Sequence, residues 1–193
     1  MTSEGRCNED IKRKIVLAKN AFNKIRNLVT NSKISMEIRK RFIKYYVWSV
    51  LLYGCETWTM STTDEKKMEA VEMWCHRRML KLSWTERKTN EEVLQMASAD
   101  RNIIATIRSR QMKFLGHVMR RGELEDLSIT GKLDGKRPKG RPRFMFMEKL
   151  KKMVNQNEDQ QKQSTNQILQ CTRDRTKWTF MAVNVFNQDS AQR

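Results

Sequence analysis

The chain has 193 residues, 38% of them hydrophobic, with 39 Lys and Arg against 22 Asp and Glu and a net charge of +17. That apolar share excludes a chain disordered throughout, and the length suits one or two domains. Such an excess of one sign opposes compaction unless a polyanion balances it, which points to nucleic acid.

Asn8, Glu9 and Asp10 predict a helix start, and Ile11, Ile15, Ala18, Phe22, Ile25 and Val29 follow at spacings of four and three. The other faces of this helix carry Lys12, Arg13, Lys14, Lys19, Lys24 and Arg26. Acids are nearly absent beyond its first turn, so few intrahelical pairs can form. Ser35 is placed to cap a second helix, with Ile38, Phe42, Tyr45, Tyr46, Ser49 and Leu52 along one side and Gly54 as its stop. Its first half is basic through Arg39, Lys40, Arg41 and Lys44. Its second half, YYVWSVLLYG, is apolar nearly all round and predicts core aromatics.

Thr62 and Glu65 predict a capping box for a third helix running through Met68, Val71, Cys75, Met79 and Leu82. Thr89 and Glu92 predict another, before Val93, Leu94 and Met96. Asp100 is placed to cap a long helix with Ile103, Ile104, Ile107, Phe114, Leu115, Val118 and Met119 facing inward. That helix ends at Gly122 after Arg120 and Arg121, cations that suit the helix dipole.

From Gly131 to Arg143 the chain reads GKLDGKRPKGRPR, with both prolines and three of the seven glycines. No regular helix is expected through it. Lys132, Lys136, Arg137, Lys139, Arg141 and Arg143 face Asp134 alone, which predicts a cationic hinge. Its PKGRPR core resembles the AT-hook, which lies in the minor groove of A·T-rich DNA. Proline keeps such a segment extended, glycine allows close approach, and arginine meets the negative potential of the groove. Beyond it, Phe144, Phe146, Met147, Leu150, Met153 and Val154 predict a short helix with Lys149, Lys151 and Lys152 outside. The tract NQNEDQQKQSTNQ has nothing to bury and predicts a loop or disorder. Ile168, Cys171, Trp178, Ala182 and Val185 predict a final helix, weakened by Thr172, Thr176 and Thr179. The expected fold class is mostly α. The expected division is 1-60, a helical pair; 61-122, a helical region; 123-143, the basic hinge; and 144-193, C-terminal helices with the polar tract 155-167.

Chemistry finds little to work with. Cys75 and His76 are adjacent on a helix and point about 100° apart, a poor ligand pair. His117 has no nucleophile or carboxylate at a suggestive spacing and reads as a packed or capping histidine. Adjacent aspartates, a P-loop and Gly-x-Gly are all missing, so no catalytic residue, metal or cofactor is expected. The longest apolar run, Tyr45 to Tyr53, is about half of what a bilayer requires. MTSEGRCNED has no apolar leader core, and Cys7, Cys55, Cys75 and Cys171 form no Cys-x-x-Cys pair. The expectation is an intracellular chain, nuclear or cytoplasmic, with reduced thiols and no membrane partner.

Several stretches in succession resemble one family, the non-LTR (LINE-type) retrotransposon endonuclease and reverse transcriptase polyprotein. They are EDIKRKIVLAKNAFNKIRNL, LLYGCETWTM, KKMEAVEMWCHRRMLKLSWTERKTNEEVL, RSRQMKFLGHVMRR, GKRPKGRPR and DRTKW, in the family's order. The resemblance implies the carboxyl end of such a polyprotein, beginning after the polymerase palm: a helical thumb that grips template and primer, then a helical region that handles RNA and target DNA. The palm, with its paired aspartates, and the endonuclease would lie upstream. Lys12 to Arg26 and Arg39 to Lys44 would be thumb surfaces facing the duplex. Phe146 stands where that family usually has tryptophan, Thr172 where alanine is common and Thr179 where arginine is common.

The expectation is therefore a non-catalytic binder of an RNA/DNA hybrid or duplex DNA, using phosphate contacts. The second reading is a small AT-hook-like chromatin protein. A third is an interaction module or a retroelement remnant without function.

Overall fold

The computed structural model describes residues 7–122, 146–154 and 165–191, and these are mostly α-helical, with no strand among them. The hinge cations Lys136, Arg137, Lys139, Arg141 and Arg143 lie outside the described residues, as does the AT-hook resemblance.

Helix α1 (Asn8–Lys24) follows Cys7 and buries Ile11, Ala18 and Phe22. A break at Ile25 separates it from the short α2 (Arg26–Val29), which buries Val29. Ser35 stands at the head of α3 (Met36–Phe42), yet its hydroxyl makes no capping bond. A π turn, Ile43–Val47, then leads into α4 (Trp48–Leu51), and Gly54 at φ 78° closes the run.

That π turn changes which face is buried. It holds one residue more per turn than an α-helix, so side chains beyond it are rotated by about 100°. Ile43, Val47, Trp48, Leu51 and Leu52 are buried, whereas Ile38, Tyr45, Tyr46 and Ser49 face solvent. The expected core aromatics are corrected accordingly. Trp48 is inside, but Tyr45 and Tyr53 are each 73% exposed.

Helix α5 (Thr62–Met79) begins one residue earlier than the Thr62 and Glu65 pairing predicts. Ser61 Oγ accepts from Asp64 N at 3.3 Å, and Ser61 N donates to Asp64 Oδ2 at 3.2 Å. Asp64 stands three residues after Ser61, the position that a capping box uses, which leaves Glu65 free to point inward. Burial disfavours the Asp64 charge, but the bonds from Ser61 and Lys67 outweigh it and hold its pKa low. Helix α6 (Asn90–Ala97) has the predicted box, with Thr89 N donating to Glu92 Oε2 at 2.7 Å. Its Val93 is buried and its Met96 is exposed.

Helix α7 (Ile103–Arg121) starts after Asn102, so Asp100 is not its cap. The carboxylate that serves its first turn comes from another helix: Glu72 Oε1 accepts from Asn102 N at 3.0 Å. Gly122 at φ 66° ends α7, in the left-handed conformation that glycine adopts without steric cost. His117 is exposed, not packed.

Helix α8 (Phe146–Val154) buries Met147, Leu150 and Val154. Lys149, expected outside, is folded inward: its Nζ donates to Glu65 Oε1 at 2.6 Å and to Met60 O at 2.7 Å. The predicted last helix is two, α9 (Thr165–Arg173) and α10 (Arg175–Ala191). They break at Asp174, whose Oδ1 accepts from Thr176 N and Lys177 N and so caps α10. Thr165, Asn166 and Gln167, expected in the polar tract, form the first turn of α9.

One apolar cluster joins Ile11, Phe22, Val47, Leu51, Met68, Met79 and Ile104, so residues on both sides of position 60 share it. A second joins Met112 and Leu115 of α7 to Leu150, Ile168, Trp178 and Ala182. Helix α7 belongs to both. Gln111 Nε2 ties it to Cys55 O at 3.2 Å and Trp58 O at 2.9 Å, while Trp58 Nε1 donates to Asp10 Oδ2 at 2.9 Å. These bonds satisfy buried carbonyls of an irregular segment that no ladder could serve.

Candidate nucleic-acid interface

On α5 the residues Lys66, Glu69, Ala70, Met73, Trp74, Arg77 and Arg78 recur every three or four positions and so share one side of the helix. That side lines a groove of about 1330 Å³ whose other wall is Leu82, Ser83, Thr85, Arg87, Lys88, Asn90 and Arg101. Cations dominate the lining. Among the described residues Glu69 is its one acid, and it is itself engaged in an interaction.

The wall facing α5 is a built loop. Ser83 N donates to Glu86 Oε1 at 2.8 Å, and Arg77 Nη2 reaches across to Lys88 O at 3.1 Å and Asn90 Oδ1 at 2.9 Å. Arg87 sits at φ 46°, a left-handed conformation that is uncommon for a residue with a Cβ. Arg101 Nη2 lies 3.6 Å from Glu91 Oε1. Lys66, Arg78, Arg87 and Lys88 make no ion pair among the described residues, so their charges stay available to a ligand.

Trp74 joins this groove to α1. Lys19 Nζ and Arg78 Cζ each lie 5.6 Å from its ring centroid, and the Phe22 ring meets it edge-on at 5.0 Å. A cation held over an indole keeps its charge while its stem stays ordered.

The basic residues expected on α1 and α3 divide into two kinds. Arg13, Lys24, Arg26, Arg41 and Lys44 are exposed; Lys12 is also exposed and pairs with Glu9 at 2.9 Å. Lys14 lies 4.6 Å over Tyr53, and Lys44 lies 5.7 Å from the Trp48 ring centroid. Arg39 and Lys40 are turned toward the protein. Lys40 Nζ donates to Ser98 O at 2.7 Å and pairs with Glu37 at 3.1 Å, while Arg39 Nε is buried without a partner. Of the expected residues, Lys19 is the one the structure brings to Trp74 of the groove.

Among the titratable groups that α5 buries are Glu72 and His76. Desolvation pushes the Glu72 carboxyl up to about 7, against the Asn102 and Ile103 amides and the positive charges of Arg101 and Lys44. Desolvation, with Lys40 and Lys44, pushes His76 down to about 4. Burial also raises Cys55 to about 11 and Cys75 to about 12, so both thiols are poor nucleophiles. Among the described residues no group of three His, Cys, Asp or Glu is placed to hold a metal ion. None of the described helices is long and apolar enough to cross a membrane.

Comparison of the chain with protein-family models, curated proteins and solved structures finds no match in any of the three.

Lys66, Arg77, Arg78, Arg87, Lys88 and Arg101 were not singled out by sequence reasoning, which weighed clusters on the first two helices and in the hinge. The signal was present: Arg77 and Arg78 fall in register with Lys66 and Trp74, and ERK follows in the next turn. The turn that joins the two halves contains Lys81, at φ 58°.

Proposed function

We propose that this chain is a non-catalytic nucleic-acid-binding body that grips the phosphate backbone of an RNA/DNA hybrid or duplex, as the thumb and post-thumb region of a LINE-type reverse transcriptase would. The observation that carries the reading is the α5 groove: cations on both walls, one engaged acid, and Trp74 linking it to Lys19. Phosphates on a polyanion would supply the counter-charge that the described residues of the groove do not, at little cost in ordering side chains already held by Trp74 and Asn90. The mostly helical fold and the order of the sequence stretches fit that family's carboxyl end. An intracellular location, nuclear or cytoplasmic, follows from this partner.

Fluorescence anisotropy with a labelled RNA/DNA hybrid tests it. Between about 50 and 200 mM salt, affinity falls steeply and linearly on logarithmic axes, as counterion release requires. Replacing Lys66, Arg87 and Lys88 by alanine lowers that slope by about two to three, at roughly 0.9 for each phosphate no longer neutralised. A flat salt dependence, or an unchanged slope in the triple variant, overturns the reading. A marked preference for A·T-rich duplex over the hybrid would select the chromatin reading instead.

A further inference from the structure

The π turn leaves three tyrosines outside. Tyr45 and Tyr53 are each 73% exposed and Tyr46 is 54% exposed. Scattered singly, such rings would need no explanation, but these share a face, and π turns recur at functional sites. Tyr46, Val50 and Tyr53 fall at spacings of four and three, and Leu52 N still bonds to Trp48 O at 2.8 Å, so the helical register carries through to Tyr53. Tyr46 and Tyr53 are two turns apart, about 10 Å along the axis. Val50 between them is half-buried, so the two rings stand clear of it. The Phe42 ring, 6.0 Å from that of Tyr46, extends the row.

Helix α1 packs against the π turn and α4, and Lys14 Nζ lies 4.6 Å from the Tyr53 ring centroid. Tyr53 keeps its exposure with Lys14 in place, so a ligand can still reach the ring. Lys14, Leu17, Ala21 and Lys24 recur every three or four positions on α1, which gives this side a cation near each end with the partly exposed Leu17 between them. Arg41, four residues before Tyr45, adds a third. Lys14, Lys24 and Arg41 form no ion pair among the described residues. The chain has no Asp or Glu from Ile11 to Met36 or from Ile38 to Cys55. The acids that bracket those stretches are engaged: Asp10 Oδ2 accepts from Trp58 Nε1 at 2.9 Å, Glu37 pairs with Lys40 at 3.1 Å, and Glu56 lies 3.9 Å from Arg110.

Ring shape and charge together select the ligand. A partner helix lays an apolar stripe into a groove, and rings raised above a half-buried Val50 offer none. Unpaired bases are flat and stack on tyrosine whatever their sequence, while the phosphates between them meet cations alongside. A duplex keeps its base faces stacked on one another and could use the cations only.

We propose that this outer face of α1 and the π-turn helix binds an unpaired nucleic-acid strand, with bases stacked on Tyr46 and Tyr53 and phosphates against Lys14, Lys24 and Arg41. The assignment deepens the nucleic-acid reading and rests on it for the class of ligand, but its surface shares no residue with the α5 groove.

Fluorescence anisotropy of the full chain with a labelled oligothymidylate of about twenty nucleotides, beside the RNA/DNA hybrid, tests it. Tyr46→Leu/Tyr53→Leu keeps apolar bulk but removes the flat rings. It weakens the single strand by at least about tenfold and leaves the salt slope within about 0.3 of the parent, since no cation is lost. Tyr46→Phe/Tyr53→Phe keeps strand affinity within about twofold, because the ring remains. Hybrid affinity stays within about twofold in both variants, being set by cations. In the Lys66→Ala/Arg87→Ala/Lys88→Ala background, Tyr46→Leu/Tyr53→Leu still weakens the strand by the same factor. Undiminished strand affinity in Tyr46→Leu/Tyr53→Leu, or an equal loss in Tyr46→Phe/Tyr53→Phe, overturns the assignment. So does an equal loss for the hybrid, whose bases are already stacked. A parent dimer in sedimentation that Tyr46→Leu/Tyr53→Leu turns into monomer also overturns it, because the face would then seat a second copy. Failure of the hybrid to bind, with tyrosine-dependent strand affinity intact, counts against the α5 groove only.

Discussion

Gly116 and Trp178 occupy space that a side chain and an indole cannot share: a Cβ built on Gly116 would fall inside the contact distance of Trp178 Cδ1 and Nε1, and 2.9 Å from Arg120 Nη1. The indole is 3% exposed and hydrogen-bonded to Met112 O, so it has little room to retreat. Gly116→Ala would raise intrinsic helix propensity by about 1 kcal/mol, whereas overpacking a fixed ring costs about 1–3 kcal/mol. The expected outcome is net destabilisation of up to about 2 kcal/mol, with faster amide hydrogen exchange in α10. Urea unfolding and exchange measurements check it; a variant more stable than the parent would mean that α10 does not seat on α7.

Glu72 and His76 bias stability in opposite directions over one pH range. Glu72 is raised from 4.5 to about 7, so between those values the folded state keeps a proton that the unfolded state has lost, and stability falls as pH rises. His76 is lowered from 6.5 to about 4, so between those values the unfolded state holds the extra proton and stability rises with pH. The two contributions oppose one another from pH 4.5 to 6.5. Glu72→Gln keeps an acceptor for Asn102 N and removes the falling contribution, leaving a stability that rises from about pH 4 to 6.5. His76→Gln leaves the reverse, a stability that falls from about pH 4.5 to 7. Each limb is worth at most about 3.4 kcal/mol, at about 1.36 kcal/mol per pKa unit. Unfolding curves at half-unit pH intervals check both signs; parallel profiles for the two variants would refute the pairing.

Lys149 anchors α8 to α5 through a buried charge cluster. Its side chain is 15% exposed, its Nζ lies 2.6 Å from Glu65 Oε1, and Arg108 Nη2 approaches the same oxygen at 3.6 Å. Lys149→Ala would leave Met60 O without that donor and Glu65 with Arg108 as its charge partner. A broken buried pair costs about 3–5 kcal/mol, and the retained arginine should reduce that to about 2–3 kcal/mol. Unfolding in urea measures the loss, and Lys151→Ala, on the same helix, serves as the control. Equal losses from the two would show that Lys149 acts as a surface lysine.

The helical fold was legible in the sequence because three-and-four spacing marks each long helix, and the Thr89 and Glu92 box needs nothing but local chain. What sequence could not supply was the register change at Ile43–Val47, which turned Tyr45 and Tyr46 outward. Nor could it supply partners from afar: Asp100 is nearer α7 in sequence, but Glu72 reaches Asn102 across the fold. Lys149 reads as one more exposed lysine until Glu65 and Met60 O are placed beside it. The α5 groove was half visible, as a stripe of cations without its opposite wall.

Lys40 stood among the residues expected to face a nucleic acid, yet its ammonium is spent inside the protein on Ser98 O and Glu37. Ser98, at φ 47°, ends α6, so the Lys40 bond ties α3 to the end of α6. Lys40→Ala should cost about 1 kcal/mol, the usual net worth of a charge-assisted hydrogen bond that is partly solvated. It should leave the salt slope of hybrid binding within about 0.3 of the parent, since an ammonium held by Ser98 and Glu37 neutralises no phosphate. Lys66→Ala should do the opposite, lowering the slope by roughly 0.9 while stability stays within about 0.5 kcal/mol. Paired unfolding and anisotropy measurements on both variants check this. If Lys40→Ala lowers the slope as far as Lys66→Ala does, the ligand runs along α3 as well as α5.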